Sequence, residues 1–125
     1  MRKMTIALAS LLMLGAAACS DQAPATTSVA NAGDPVHGFD LYRATCIVCH
    51  GDGGIGIPGL GKPWVGSDFI DSKTDAEMVA FLLVGRPATD ALNTTGVDML
   101  PKGGDNALTE QDLLDLVAYM RTLNL

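Results

Sequence analysis

The chain is short of aromatic residues, of positive charge and of long apolar runs, and each shortage closes off a class of explanation. One tryptophan, two tyrosines and three phenylalanines are spread over 125 residues, so rings alone cannot build a large core. Eight lysines and arginines face 14 aspartates and glutamates, giving a formal charge of −6. The basic footprint of a nucleic-acid-binding domain is therefore missing. An acidic surface steers association toward basic partners but does not decide the fold. No apolar run reaches the roughly twenty residues needed to span a bilayer. Strand-type alternation is nowhere sustained, and no internal repeat appears. The length argues for one domain at most.

Cysteine is scarce too: Cys19, Cys46 and Cys49 cannot all pair. The first of them follows a short basic start, MRK, an apolar run of about eleven residues from Met4 to Leu14, and the small residues GAAA. This order reads as an export signal over residues 1–18. A cysteine after small residues resembles the lipobox of bacterial lipoproteins, with Ala16 where leucine is commonest. That resemblance implies lipid attachment at Cys19, with more than one acyl chain, since one chain alone anchors weakly. The alternative is ordinary cleavage that leaves Cys19 a free thiol. Residues 19–33 then form a small, polar tether. Loss of residues 1–18 takes away two positive and no negative charges, from −6 to −8. Residues 34–125 hold the folded domain, a length with a limited core of its own.

Within that domain, Asp34-Pro35 reads as an N-cap followed by proline at the first helical position. Phe39, Tyr42 and Cys46 continue at helical spacing, and the glycines after His50 end the run. Residues 51–72, rich in glycine and proline, read as one long loop. Thr74 with Glu77, and Thr109 with Asp112, mark two further helix starts. Residues 86–107 read as a second loop. The expected class is all-α, with three to four short helices and long loops.

The densest chemistry is CIVCH, residues 46–50. Zinc would need a second cysteine pair or a distant cysteine–histidine pair, and the only other histidine is His37. A thioredoxin-like redox pair expects strands, which are missing here. C-x-x-C-H is the signature of covalent haem attachment. Two thiols three apart on a helical turn can each add to one vinyl group, and the next residue projects over the porphyrin face. A neutral imidazole there is a suitable iron ligand. For the opposite axial position three methionines of the domain compete. Met78 and Met120 fall on apolar helix faces, where core filling explains them. Met99 lies in VDMLPKGG, a glycine- and proline-rich loop, and is the candidate sixth ligand.

With these residues in hand, the domain from Asp34 to Leu125 resembles the monohaem class I cytochromes c of the small bacterial type. Gly38 and Tyr42 stand where that family has a helix-crossing glycine and an aromatic, and LVAYMRTL, residues 116–123, is similar to its last helix. The resemblance implies the cytochrome c fold wrapped around one haem c, held through Cys46 and Cys49. It implies that the Pro58 carbonyl accepts from His50 Nδ1 and that Leu60 packs on the haem ring. One departure stands: Leu100 separates Met99 from Pro101, where the family usually has proline at once. Trp64 has two readings, a haem-crevice residue and plain packing.

His/Met ligation leaves iron no open position and favours its reduced form. The expected function is electron carriage between redox proteins, with neither a nucleic acid nor a small-molecule substrate. It is not expected to be an enzyme. Export to the periplasmic side and anchoring through Cys19 complete the expectation. Two alternatives stay open: a subunit fixed in a larger respiratory or dehydrogenase complex, and a haem enzyme or gas sensor with an open axial site.

Overall fold

The computed structural model describes residues 32–125. The expected export signal, Cys19 and the expected tether up to residue 31 lie outside the described residues. Helix α1, Pro35–Leu41, starts at Asp34, whose side chain accepts from the Val36 and His37 N–H groups at 2.8 and 3.4 Å. It runs on through a π-helical turn, Tyr42–Cys46, into α2, Ile47–His50. Gly51 ends the run at φ 75°, a conformation that costs other residues and not glycine. Cys46, Cys49 and His50 therefore share one helical run. A short α3, Asp68–Asp71, precedes α4, Asp75–Val84, and α5, Glu110–Thr122, closes the domain.

Both expected capping boxes are present, Thr74 with Glu77 and Thr109 with Asp112. The described residues contain helices, turns and two isolated β-bridges, Ile57 with Gly61 and Arg86 with Met99, and no strand. The all-α expectation holds. The reading of residues 51–72 as featureless loop does not: α3 lies inside it, started by Ser67, whose hydroxyl accepts from the Ile70 N–H. Four residues are too few to leave a helical period in a sequence.

The core forms where α1 crosses α5. Gly38 makes the crossing possible, since a Cβ built on it would stand 2.0 Å from the Asp115 carbonyl oxygen. Tyr42 is fully buried at this junction, with ring centroids 5.3 Å from Tyr119 and 4.7 Å from Trp64. Met78 and Leu82 of α4 join Leu113, Leu116, Val117 and Met120 of α5 in the same cluster.

A polar latch closes the outer end of the crossing. Asp115, the one charged residue buried among those described, accepts from the Asp34 N–H and from Gln111 Nε2, each at 2.8 Å. Its other oxygen meets His37 Nδ1 at 2.7 Å. The hydrogen bond to Asp115 raises the His37 pKa above its ordinary 6.5 against the opposing effect of desolvation, and the charges of Asp115, Asp112 and Asp34 add to the rise. Burial acts to raise the Asp115 pKa, but bonds from His37, Asp34 and Gln111 outweigh it and hold the carboxyl below its ordinary value. A histidine raised on folding stabilises fully below its unfolded value and loses that contribution as pH rises through the folded value. The protein should therefore lose a stability increment relative to His37→Ala as pH climbs from about 6.5 through the raised value. Denaturant titrations of both proteins across that range check this; a constant difference would contradict it.

Candidate functional site

The helical run, the loops and α4–α5 enclose a cavity of about 460 Å³. Cys46, Cys49, His50 and Met99 all line it, although Met99 lies 49 residues beyond His50 in the chain. The rest of the wall is largely apolar: Leu60, Trp64 and Ile70 on one stretch, Met78, Phe81 and Leu82 from α4, Leu113, Leu116 and Met120 from α5. Met78 and Met120, expected as core filler, are indeed buried, yet they also border the cavity. Core and cavity wall are one surface in a domain this small.

His50 is oriented from outside the motif. Its Nδ1 lies 2.7 Å from the Lys62 carbonyl oxygen, which can only accept, so Nδ1 carries the proton and the Nε2 lone pair is left free. The Trp64 ring, with its centroid 5.1 Å away, packs against the imidazole. Burial lowers the His50 pKa, and the bond to Lys62 offsets part of that. The imidazole is therefore neutral at neutral pH, the form that ligates metal. Burial likewise pushes the Cys46 thiol up to about 12, with Cys49 adding to it. Neither cysteine is in a disulfide.

The accepting carbonyl corrects the expectation placed on Pro58. The turn Ile57–Gly61, closed by the Gly61 N–H to the Ile57 carbonyl at 3.1 Å, leaves Pro58 exposed and off the cavity wall. Gly61 brings the following residue to His50 instead: a Cβ there would stand 2.2 Å from the Cys49 carbonyl oxygen. Only a glycine lets the loop lie that close to the helix, and the next carbonyl in line is that of Lys62. Nothing in the sequence marks which carbonyl the histidine meets. Leu60 and Trp64 do line the cavity.

Met99 is held by its backbone. Its N–H donates to the Arg86 carbonyl and its own carbonyl accepts from the Arg86 N–H, both at 2.8 Å. Gly85, at φ 71°, makes room for this pair, since a Cβ on it would stand 2.1 Å from the Met99 carbonyl oxygen. The methionine loop is thus tied to the end of α4, a link the sequence reading missed because Gly85 also serves as an ordinary helix stop. Asn93 braces the same loop, donating to the Val97 carbonyl at 2.8 Å and accepting from the Thr95 and Gly96 N–H groups at 3.0 Å. Loop chemistry accounts for it.

The donor set fits a haem bound through sulfur: two thiols on one helical turn, an imidazole with a free Nε2, a thioether, and an apolar enclosure around them. Compared with known protein families, residues 33–120 match the family described as cytochrome c oxidase, cbb3-type, subunit III. No curated protein and no solved structure matches the chain.

Proposed function

We propose, from the premise that the chain belongs to the cytochrome c family described as cytochrome c oxidase, cbb3-type, subunit III, that it carries single electrons between redox proteins through one haem c ligated by His50 and Met99. The observation that carries this reading is the meeting of Cys46, Cys49, His50 and Met99 on one cavity wall. When bound, a haem supplies a one-electron iron couple and two vinyl groups for thioether bonds. Cys46 and Cys49 provide the sulfur for those bonds. His50, held in one tautomer by the Lys62 carbonyl, would hold the iron through its Nε2. Met99, pinned by the Arg86 backbone, would hold it through a soft thioether, a ligand that favours reduced iron. The apolar wall keeps water from the buried face.

In the same proposal, residues 1–18 direct export and Cys19 carries a lipid that holds the domain at the periplasmic side of a membrane. A fixed place in a respiratory complex is a second reading, favoured by the matched family, which is described as an oxidase subunit. Recovery of the chain as a free monomer after mild detergent extraction would exclude it.

Met99→Ala tests the carrier reading against an open-site haem protein. The variant should keep its covalent haem, lose reduction potential on the order of 0.1 V out of the about 0.8 V span that axial ligands control, and bind carbon monoxide when reduced. Unchanged potential together with rapid carbon monoxide binding by the unaltered protein would overturn Met99 as a ligand.

A further inference from the structure

A second set of ligand-type side chains stands at the outer end of the α1–α5 crossing: His37 from α1, with Asp112 and Asp115 three residues apart on α5. None of the three lines the cavity. One ligand atom of each, an imidazole nitrogen and two carboxylate oxygens, lies within 4.8 Å of the other two. His37 Nδ1 is 2.7 Å from Asp115 Oδ2 and 3.9 Å from Asp112 Oδ1. Among the described residues no lysine or arginine pairs with either carboxylate; Arg121 pairs with Asp75 instead. Two carboxylates therefore face one imidazole, and the cluster stays negative even when His37 is protonated.

The far oxygen of each carboxylate is engaged elsewhere. Asp115 Oδ1 accepts from the Asp34 N–H and from Gln111 Nε2. Asp112 Oδ2 accepts from the Thr109 N–H at 2.8 Å and from its hydroxyl at 2.7 Å. These bonds hold both side chains in place and turn their near oxygens toward His37, as outer partners do for the ligands of a metal. The latch uses only one of those near oxygens, Asp115 Oδ2; Asp112 Oδ1 takes no hydrogen bond among the described residues. The Asp115 side chain is buried, Asp112 is about one-fifth exposed and His37 about half exposed, so the cluster is walled on the α5 side and open on the other.

We propose that His37, Asp112 and Asp115 bind a divalent transition-metal ion of the zinc class, which bridges α1 and α5 in place of the proton shared by His37 and Asp115. An imidazole nitrogen beside two carboxylate oxygens suits zinc, copper or nickel, whereas calcium and magnesium take oxygen alone. With bonds of about 2.0–2.2 Å, the ligand atoms of a tetrahedral ion stand roughly 3.3–3.6 Å apart. The separations here bracket that spacing, and the half-exposed His37 ring has room to adjust. Its open side leaves the fourth position to water. The site is independent of the haem reading. An ion that binds the folded chain and not the unfolded one fastens the crossing: at a hundredfold excess over the dissociation constant, the unfolding equilibrium constant falls about 100-fold.

Calorimetric titration of zinc chloride into the product of the full-length sequence, without a polyhistidine tag and stripped of metals by chelator, reads the site by difference. The unaltered protein should bind one zinc ion more than His37→Gln or Asp112→Asn, or bind that ion about 10-fold or more tighter than either. Glutamine keeps a donor for Asp115 and asparagine keeps an acceptor for Thr109, so the fold's own bonds survive; if one variant fails to fold, the other decides. Zinc should also raise the unfolding midpoint of the unaltered protein beyond any rise in the variants, and calcium at the same concentration should not. Equal zinc binding by the unaltered protein and a folded variant would overturn the proposal, because the ion would then sit elsewhere. A calcium effect equal to that of zinc would overturn it too, since the cluster would then be a mere acidic patch.

Discussion

His50→Ala should leave at most a tenth of the holoprotein that the unaltered chain yields. The side chain is the single imidazole on the cavity wall, and its Nε2 is the free nitrogen there. Loss of groups that merely orient a ligand lowers metal affinity by about 10–100-fold, so loss of the ligand should cost at least as much. The substitution also strands the Lys62 carbonyl and removes the ring packed on Trp64. Any haem that remains should show no ordered low-spin spectrum. Haem-stained gels and absorption spectra of matched preparations check this; a holoprotein of normal yield and spectrum would remove His50 from the site.

Gly38→Ala should destabilise the domain by about 3 kcal/mol or more, at the upper end of overpacking. Helix propensity alone predicts the reverse, since alanine is better than glycine inside a helix by about 0.8–1.0 kcal/mol. The crossing decides the sign. The new Cβ would lie 2.0 Å from the Asp115 carbonyl oxygen and 2.5 Å from its carbon, and both belong to backbone inside α5. Neither can step aside without moving α1 off α5, which would separate Tyr42 from Tyr119 and break the His37–Asp115 latch. Against a total of about 5–15 kcal/mol for a native domain this is a large fraction. Denaturant unfolding of the holoprotein measures it. Unchanged stability would mean that the two helices do not meet at Gly38.

Much of this domain was legible because its signals are local. Asp34-Pro35, Thr74 with Glu77 and Thr109 with Asp112 each write a helix start within four residues, and all three are present. The stripe Leu113, Leu116, Val117 and Met120 has a period that only a buried helix face explains. What was not legible depends on distance in the chain. The partner of His50 lies twelve residues away and was expected at Pro58, yet Gly61 brings the Lys62 carbonyl there. A sequence names a glycine but not the atom that fills the space it vacates. The Arg86–Met99 pair is hidden for the same reason: each residue stands in an unpatterned loop, and their meeting follows from the end of α4. The aromatic pair of Phe69 and Phe81 joins α3 to α4, and α3 itself was too short to be seen.

The claim under everything else is that a haem is bound covalently through Cys46 and Cys49. Intact-mass spectrometry of the product that the full-length sequence yields in a bacterial host competent for c-type haem attachment, denatured before injection, tests it most directly. The account predicts the mature chain plus one haem that denaturation does not release, and the same spectrum reads the N-terminus and any acyl chains. A natively folded product with the mass of the bare polypeptide, or one whose pigment washes out on denaturation, would contradict it.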